Sequence, residues 1–282
     1  MPRAVPTTVG TVLVDTSLLV ELQKRNTSSQ PVKDALSGFR FRGISSFSKL
    51  EFKRAWLKRL AYLHSLCRQP GVTRIADVSE RLEKRLAHHL QRRAVQTCFQ
   101  ALHAFLALEP DRISQTAQLA RARQHFKHAV LASSYAIREA ATGEFRGTAC
   151  VRAEEPVREL ADGSLDVVIR RCKPSEIRCA VHEFFESHRG VFQGIADGVD
   201  RAESPSAELC RIRDGLRKAA DNPVHLCDDK NCASVGDAII AVDGRDMDVF
   251  AANNDSEWHL LGQVLGKTLL NPVSKRDKLD KG

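Results

Sequence analysis

No stretch of this 282-residue chain approaches the roughly 18 consecutive apolar residues of a membrane span. The opening Met1-Pro2-Arg3-Ala4-Val5-Pro6 leads into a short apolar stretch ending at Asp15. It lacks the apolar core of about 7–15 residues and the small-residue cleavage site of an export signal. The expectation is a cytoplasmic protein with no membrane partner. There is no internal repeat. A hydrophobic content of 43% and a charged content of 28% exclude collagen, mucin and wholesale disorder. The eight cysteines are not spaced like a small secreted framework, so reduced thiols are the default. The length is too great for one small module and suggests one large domain or two ordinary ones.

Positive charge is present in excess and is unevenly placed. The net charge is +8 and the isoelectric point about 9.2. Between Arg40 and Arg146 there are 20 Lys and Arg against 8 Asp and Glu, so this stretch carries +12 and the rest −4. A basic half favours a polyanion, most simply nucleic acid, whose affinity comes largely from neutralised phosphates. The competing reading is a solvated basic face on long helices.

Val9 to Asp15 reads as a short buried strand ending in a carboxylate, followed by Asp15-Thr16-Ser17 as helix caps and an apolar helix. Phe41 to Phe47 reads as a second strand, and Ser48 to about Leu66 as a basic helix. Two long helices are predicted at 77–108 and 114–142, since neither contains a Gly or an internal Pro. Residues 156–170 form a hairpin around Asp162-Gly163. Helices follow at 175–188, 205–220, 234–242 and 257–265, with a strand at 248–253. The tail from Ser274 is charged and frayed.

Four acids share one context: Asp15 ends a strand, Glu51 lies early in the next helix, Asp237 opens a helix, and Asp255 follows a late strand. In an open α/β sheet the carboxyl ends of the strands line one crevice. Carboxylates converging there would repel one another unless a divalent cation compensated, and all-oxygen ligation points to Mg²⁺ or Mn²⁺. Such a centre activates water for in-line attack on phosphate. Singly, each acid is equally explained as a cap or a turn residue.

Together they resemble something. Val12-Leu13-Val14-Asp15-Thr16-Ser17 resembles the opening of PIN-domain nucleases. Ser45-Ser46-Phe47-Ser48-Lys49-Leu50-Glu51 is similar to that family's second motif, and Gly236-Asp237-Ala238-Ile239-Ile240-Ala241 to its third. Phe250 to Trp258 is similar to its fourth, with Ala252 in place of the usual Thr or Ser. The 18-residue step from Asp237 to Asp255 suits the family's helix-plus-strand unit, whereas the position two residues after Ala252 favours Asn254. Charge compensation is the stronger requirement, so Asp255 is assigned and Asn254 is the alternative fourth position. The resemblance implies an α/β fold, with a parallel sheet flanked by helices on both faces. It covers residues 9–66 and 225–272. The core is then 1–66 with 225–273, and 67–224 is a mostly helical insertion.

The resemblance further implies a metal-dependent endoribonuclease in which Asp15, Glu51, Asp237 and Asp255 hold Mg²⁺ or Mn²⁺ and water is the nucleophile. RNA is the expected substrate and single-stranded DNA the alternative. Thr16 or Ser17 would contact phosphate or orient Asp15, and Arg54, Arg81, Lys84, Arg85, Arg92 and Arg93 would grip the polyanion. The setting could be toxin–antitoxin, RNA processing or defence, with an inhibitor protein or a second copy as partner. The rival is a catalytically weak scaffold that binds nucleic acid or protein. Arg123 and His128 also fit the loose Arg-x4-His pattern of helical HEPN ribonucleases. Trp56 and Tyr62 either stack bases or pack the core. Cys172, Cys179, Cys227 and Cys232 could hold a structural zinc, but their spacings exceed the common C-x2-C, and buried free thiols are the preferred reading.

Overall fold

The computed structural model describes residues 10–24, 29–87, 92–109, 113–150, 156–169, 172, 179–253 and 256–273. Strand β1 (Thr11–Val14) runs into helix α1 (Thr16–Lys24), and α2 (Ser29–Ser37) returns to β2 (Phe41–Ser45). One helical run follows: α3 (Ser46–Phe52), a π turn (Lys53–Leu57) and α4 (Lys58–Cys67). Then come α5 (Ile75–Ala87), α6 (Arg92–Leu106), α7 (Gln115–Leu131), α8 (Ser133–Ala140) and β3 (Gly143–Phe145). The hairpin β4 (Val157–Glu159) and β5 (Leu165–Val167) precedes α9 (Ala180–Ser187), α10 (Arg189–Arg201) and α11 (Ala207–Asp221). A 3-10 turn (Pro223–Cys227), α12 (Asp229–Ser234), α13 (Gly236–Asp243), β6 (Val249–Ala251), α14 (Ser256–Leu265) and β7 (Thr268–Leu270) complete the order.

The protein is α/β. Five strands form one parallel sheet in the order β3-β2-β1-β6-β7. Alternation along β1 divides the core. Val12 and Val14 join one apolar cluster with α1, α2 and α4–α7; Leu13 joins the other with α9–α13 and Trp258 of α14. Both faces of the sheet are thus covered, as parallel sheets require. Each fully buried Leu, Val or Phe contributes about 1.5–3 kcal/mol.

The chain runs outward from β1 to β3, then crosses back to lay β6 on the other side of β1. The topological switch lies between β1 and β6, where a crevice opens beyond the carboxyl ends of the strands. Asp15 and Asn253 both lie just past those ends.

Several elements differ from the sequence expectation. The helix expected over 77–108 is two helices, α5 and α6, which pack on each other. Val78 and Leu82 of one and Val95, Leu102 and Phe105 of the other enter the same cluster, and residues 88–91 of the expected helix lie outside the described residues. The helix expected over 114–142 starts at its Ser114 cap but breaks at Ala132. Five elements, α2, α10, α12, β3 and β7, had no counterpart in the reading. Helix α10 carries Gly190, Gly194 and Gly198, and β3 and β7 are three residues each. Strand β3 is held by reciprocal aromatic cover. A Cβ on Gly43 would lie 2.3 Å from the Phe145 ring, and one on Gly143 2.5 Å from the Phe41 ring. Within 67–224 the hairpin forms where expected, with Gly163 at φ +74° in its turn, and β3 from the same stretch joins the central sheet. The tail 274–282 lies outside the described residues.

Candidate active site

Asp15 is 4% exposed and caps α1. Its Oδ2 accepts from the Ser17 backbone N–H at 2.9 Å and from Ser17 Oγ at 2.5 Å. Ser17 Oγ in turn accepts from the Asn253 N–H at 3.1 Å, tying the end of β6 to Asp15. Oδ1 of Asp15 is buried without a hydrogen-bond partner. Burial raises the Asp15 carboxyl above the usual carboxylate range, against the hydrogen bonds from Ser17 and Thr16.

Glu51 sits beside it. Thr16 Oγ1 donates to Glu51 Oε2 at 3.3 Å. Burial, and then the charge of Asp15, pushes Glu51 up to about 8; Thr16 and Arg54 pull the other way. The placement has a local cause. Ser45 caps α3, accepting from the Phe47 N–H at 3.0 Å. The helical run then turns Glu51 toward the start of α13. The partial positive charge of that helix terminus favours a carboxylate there.

Glu51 opens onto a cleft of about 400 Å³ that it shares with Thr16, Arg54 and Asp237. The far wall is Glu208 and Arg211 of α11 and Ser234 of α12, more than 150 positions along the chain from Glu51. No local pattern in the sequence marks those three residues. Gly236 is the other residue that sequence reasoning left without a role, although it stood inside a quoted motif.

Asp15, Glu51, Thr16, Ser17 and Arg54 are therefore brought to one place, and Asp237 to the wall of the same cleft. Asn254 and Asp255 lie outside the described residues, as does the side chain of Arg93. Among the described residues no group of three or more His, Cys, Asp or Glu is close enough to enclose a metal ion. The two carboxylates still fit a hard cation: one buried oxygen lacks a partner and the neighbouring acid resists ionisation. Mg²⁺ in particular is held by one or two carboxylates and keeps several waters.

The basic residues are divided. Arg81 is engaged with the loop before α5, donating to Gln69 Oε1 and, at 2.9 Å, to the Pro70 carbonyl. Arg85 lies over the Tyr62 ring, 4.8 Å from its centroid. Lys84 and Arg92 are exposed. Trp56 is 3% exposed and packs the core, so it offers no stacking face. Arg123 Nε donates to the Cys67 carbonyl at 2.7 Å and His128 bonds Gln124, which gives each a partner other than the other.

All eight cysteines are unbridged. Cys227 is pushed up to about 12 by burial and then by its neighbours Cys179 and Cys172, so it stays a thiol at neutral pH. Cys232 is fully buried in the second apolar cluster. No helix among the described residues is long and apolar enough to cross a membrane.

No protein-family model, no curated protein and no solved structure matches this chain.

Proposed function

We propose that the chain is a Mg²⁺- or Mn²⁺-dependent, PIN-type endonuclease that hydrolyses RNA. The observation that carries the reading is the pairing of buried Asp15 with half-buried Glu51 at the switch point of the sheet, with Asp15 Oδ1 unpartnered and Glu51 raised to about 8. A divalent ion there would supply the missing positive charge and acidify a bound water. Asp15 and Glu51 would hold it. Asp237 and a fourth position, Asp255 or Asn254, would act directly or through water. Thr16 Oγ1 orients Glu51, and Ser17 fixes Asp15 by occupying its Oδ2, which leaves Oδ1 for the ion. Arg54 would meet the phosphate at the cleft, and the basic helices beyond would retain the strand.

A second reading is favoured by one observation, the lack of a third ligand close to the pair among the described residues. On that reading the chain binds nucleic acid or a protein partner and cleaves weakly or not at all.

The test uses wild type and Asp15→Asn. Asn can still accept both Ser17 bonds, and crowded carboxylates relax when one is neutralised, so the variant should melt at or above the wild-type temperature. It should lose at least about 100-fold in cleavage of a single-stranded RNA, a few kcal/mol of transition-state stabilisation, and lose its thermal stabilisation by Mn²⁺. Full cleavage by the folded variant removes the nuclease reading. Absence of cleavage by wild type, with RNA still bound, selects the second.

A further inference from the structure

The π turn separates two clefts on one helical run. Arg54 faces the acid cleft; Lys58 and Arg59, immediately after the turn, line a second cleft of about 360 Å³ with Tyr62, Arg85 and Asp166. π turns inside helices recur at functional sites, because the extra residue re-aims the side chains that follow. We infer that this second cleft, between α4, α5, α6 and β5, binds a phosphate of the nucleic-acid strand whose scissile bond lies at the Asp15–Glu51 pair; the inference rests on the proposed nuclease reading for the strand's identity.

Four features of the cleft favour an anion. It gathers three cations, Lys58, Arg59 and Arg85, against the single carboxylate of Asp166, and that carboxylate is already paired with Arg158 at 3.3 Å. The Tyr62 hydroxyl is buried without a hydrogen-bond partner, a donor ready for a phosphate oxygen. Arg85 lies over the Tyr62 ring, its Cζ 4.8 Å from the centroid, a contact that restrains the guanidinium before a ligand arrives and lowers the entropic cost of binding. Lys58 is lowered by burial and then by the like charges of Arg54 and Arg59, so an anion between these groups would relieve their repulsion. Arg54 in the acid cleft and Lys58 in the second lie four positions apart on the same helical run, which joins the two clefts in one positive line. A flexible strand would follow that line from cleavage site to anchor. The lining is not a base-reading pocket: Tyr62 already has one face covered, and the three cations outnumber the single carboxylate of Asp166. Backbone recognition without sequence preference is the expected chemistry.

The test is binding of a labelled twelve-nucleotide single-stranded RNA to the full chain in EDTA, so that no cleavage occurs, over a range of salt. Lys58→Gln/Arg85→Gln removes two cations and should lower the log–log salt slope by about 1.4, near 0.7 per phosphate contact, and weaken binding about tenfold at low salt. Tyr62→Phe keeps the ring and the fold, and should weaken binding several-fold with the slope unchanged. An unchanged slope and affinity in folded variants overturns the inference even if wild type cleaves RNA. A reduced slope in a chain that does not cleave with Mn²⁺ leaves the anion cleft standing and removes the hydrolysis reading instead. Failure of wild type to bind the oligonucleotide overturns both.

Discussion

Gly236 lies so close to Glu51 that a Cβ on it would stand 2.1 Å from Oε1. The start of α13 and the carboxylate on α3 can share the cleft only because one of them has no side chain. Gly236→Ala should therefore displace Glu51 rather than merely crowd it. The expected result is loss of most metal-dependent cleavage at a stability cost of about 1 kcal/mol or less, since the atom that must give way is the mobile end of the Glu51 side chain. Gly190→Ala is the control, since nothing lies within 4 Å of its Cβ position. It should match wild type or gain about 0.5 kcal/mol from helix propensity. If Gly236→Ala cleaves as well as wild type, Glu51 is not held where the reaction needs it.

Glu51 also makes stability depend on pH. Its ordinary value of 4.5 is raised to about 8 in the folded chain, by burial first and by Asp15 second. Between those values the unfolded chain has released a proton that the native chain retains, so stability falls as pH rises through this window. Glu51→Gln removes that term. The difference in unfolding free energy between variant and wild type should be small near pH 5 and should favour the variant by roughly 1–3 kcal/mol at pH 8. Chemical denaturation at the two pH values measures it. A difference that does not grow with pH would mean Glu51 is ionised without penalty.

A second buried acid is built differently. Asp243 Oδ2 accepts from Ser45 Oγ at 2.7 Å and from Thr148 Oγ1 at 3.0 Å, and burial raises its carboxyl despite both bonds. These partners join the end of β2 to the segment after β3 and to α13, so the network holds the layers in register. Thr148→Val keeps the shape and removes one donor. It should cost about 1–3 kcal/mol and leave metal-dependent cleavage unchanged. Lost cleavage at unchanged stability would make Asp243 part of the reaction.

The contrast between those two acids marks how far the sequence could be read. Asp15, Glu51 and Asp237 were legible because each sits at a strand end or helix start within a short contiguous pattern. The α/β class followed from the same patterns. The partners that give the acids their chemistry were not legible. Arg211 and Ser234 reach the cleft from distant helices, and Thr148 reaches Asp243 across 95 positions. Strand β3 escaped for a related reason. Its stability comes from Phe41 covering Gly143 and Phe145 covering Gly43, a relationship between strands and not a property of either. The packing of α5 on α6 was hidden because the apolar spacing runs on from one to the other with no Gly or Pro.

The last prediction concerns the link from Asp15 to the end of β6. Ser17 Oγ donates to Asp15 Oδ2 and accepts from the Asn253 N–H, so one hydroxyl holds the first acid against the stretch that leads to Asn254 and Asp255. Ser17→Ala would leave the Asn253 N–H without that acceptor and Asp15 with its backbone bond alone. The expected cost is about 1–2 kcal/mol, and Mn²⁺-dependent cleavage should fall about tenfold or more, because both the acid and its neighbour strand lose their fixed separation. Ser17→Thr keeps the hydroxyl and should restore much of each. The same preparation decides the fourth position: Asp255→Ala should reduce cleavage far more than Asn254→Ala at every Mn²⁺ concentration, since a carboxylate compensates a divalent ion and an amide does not. If Asn254→Ala is the more damaging and Asp255→Ala behaves as wild type, the fourth position is Asn254. One metal held by Asp15 and Glu51 would then be expected, not two.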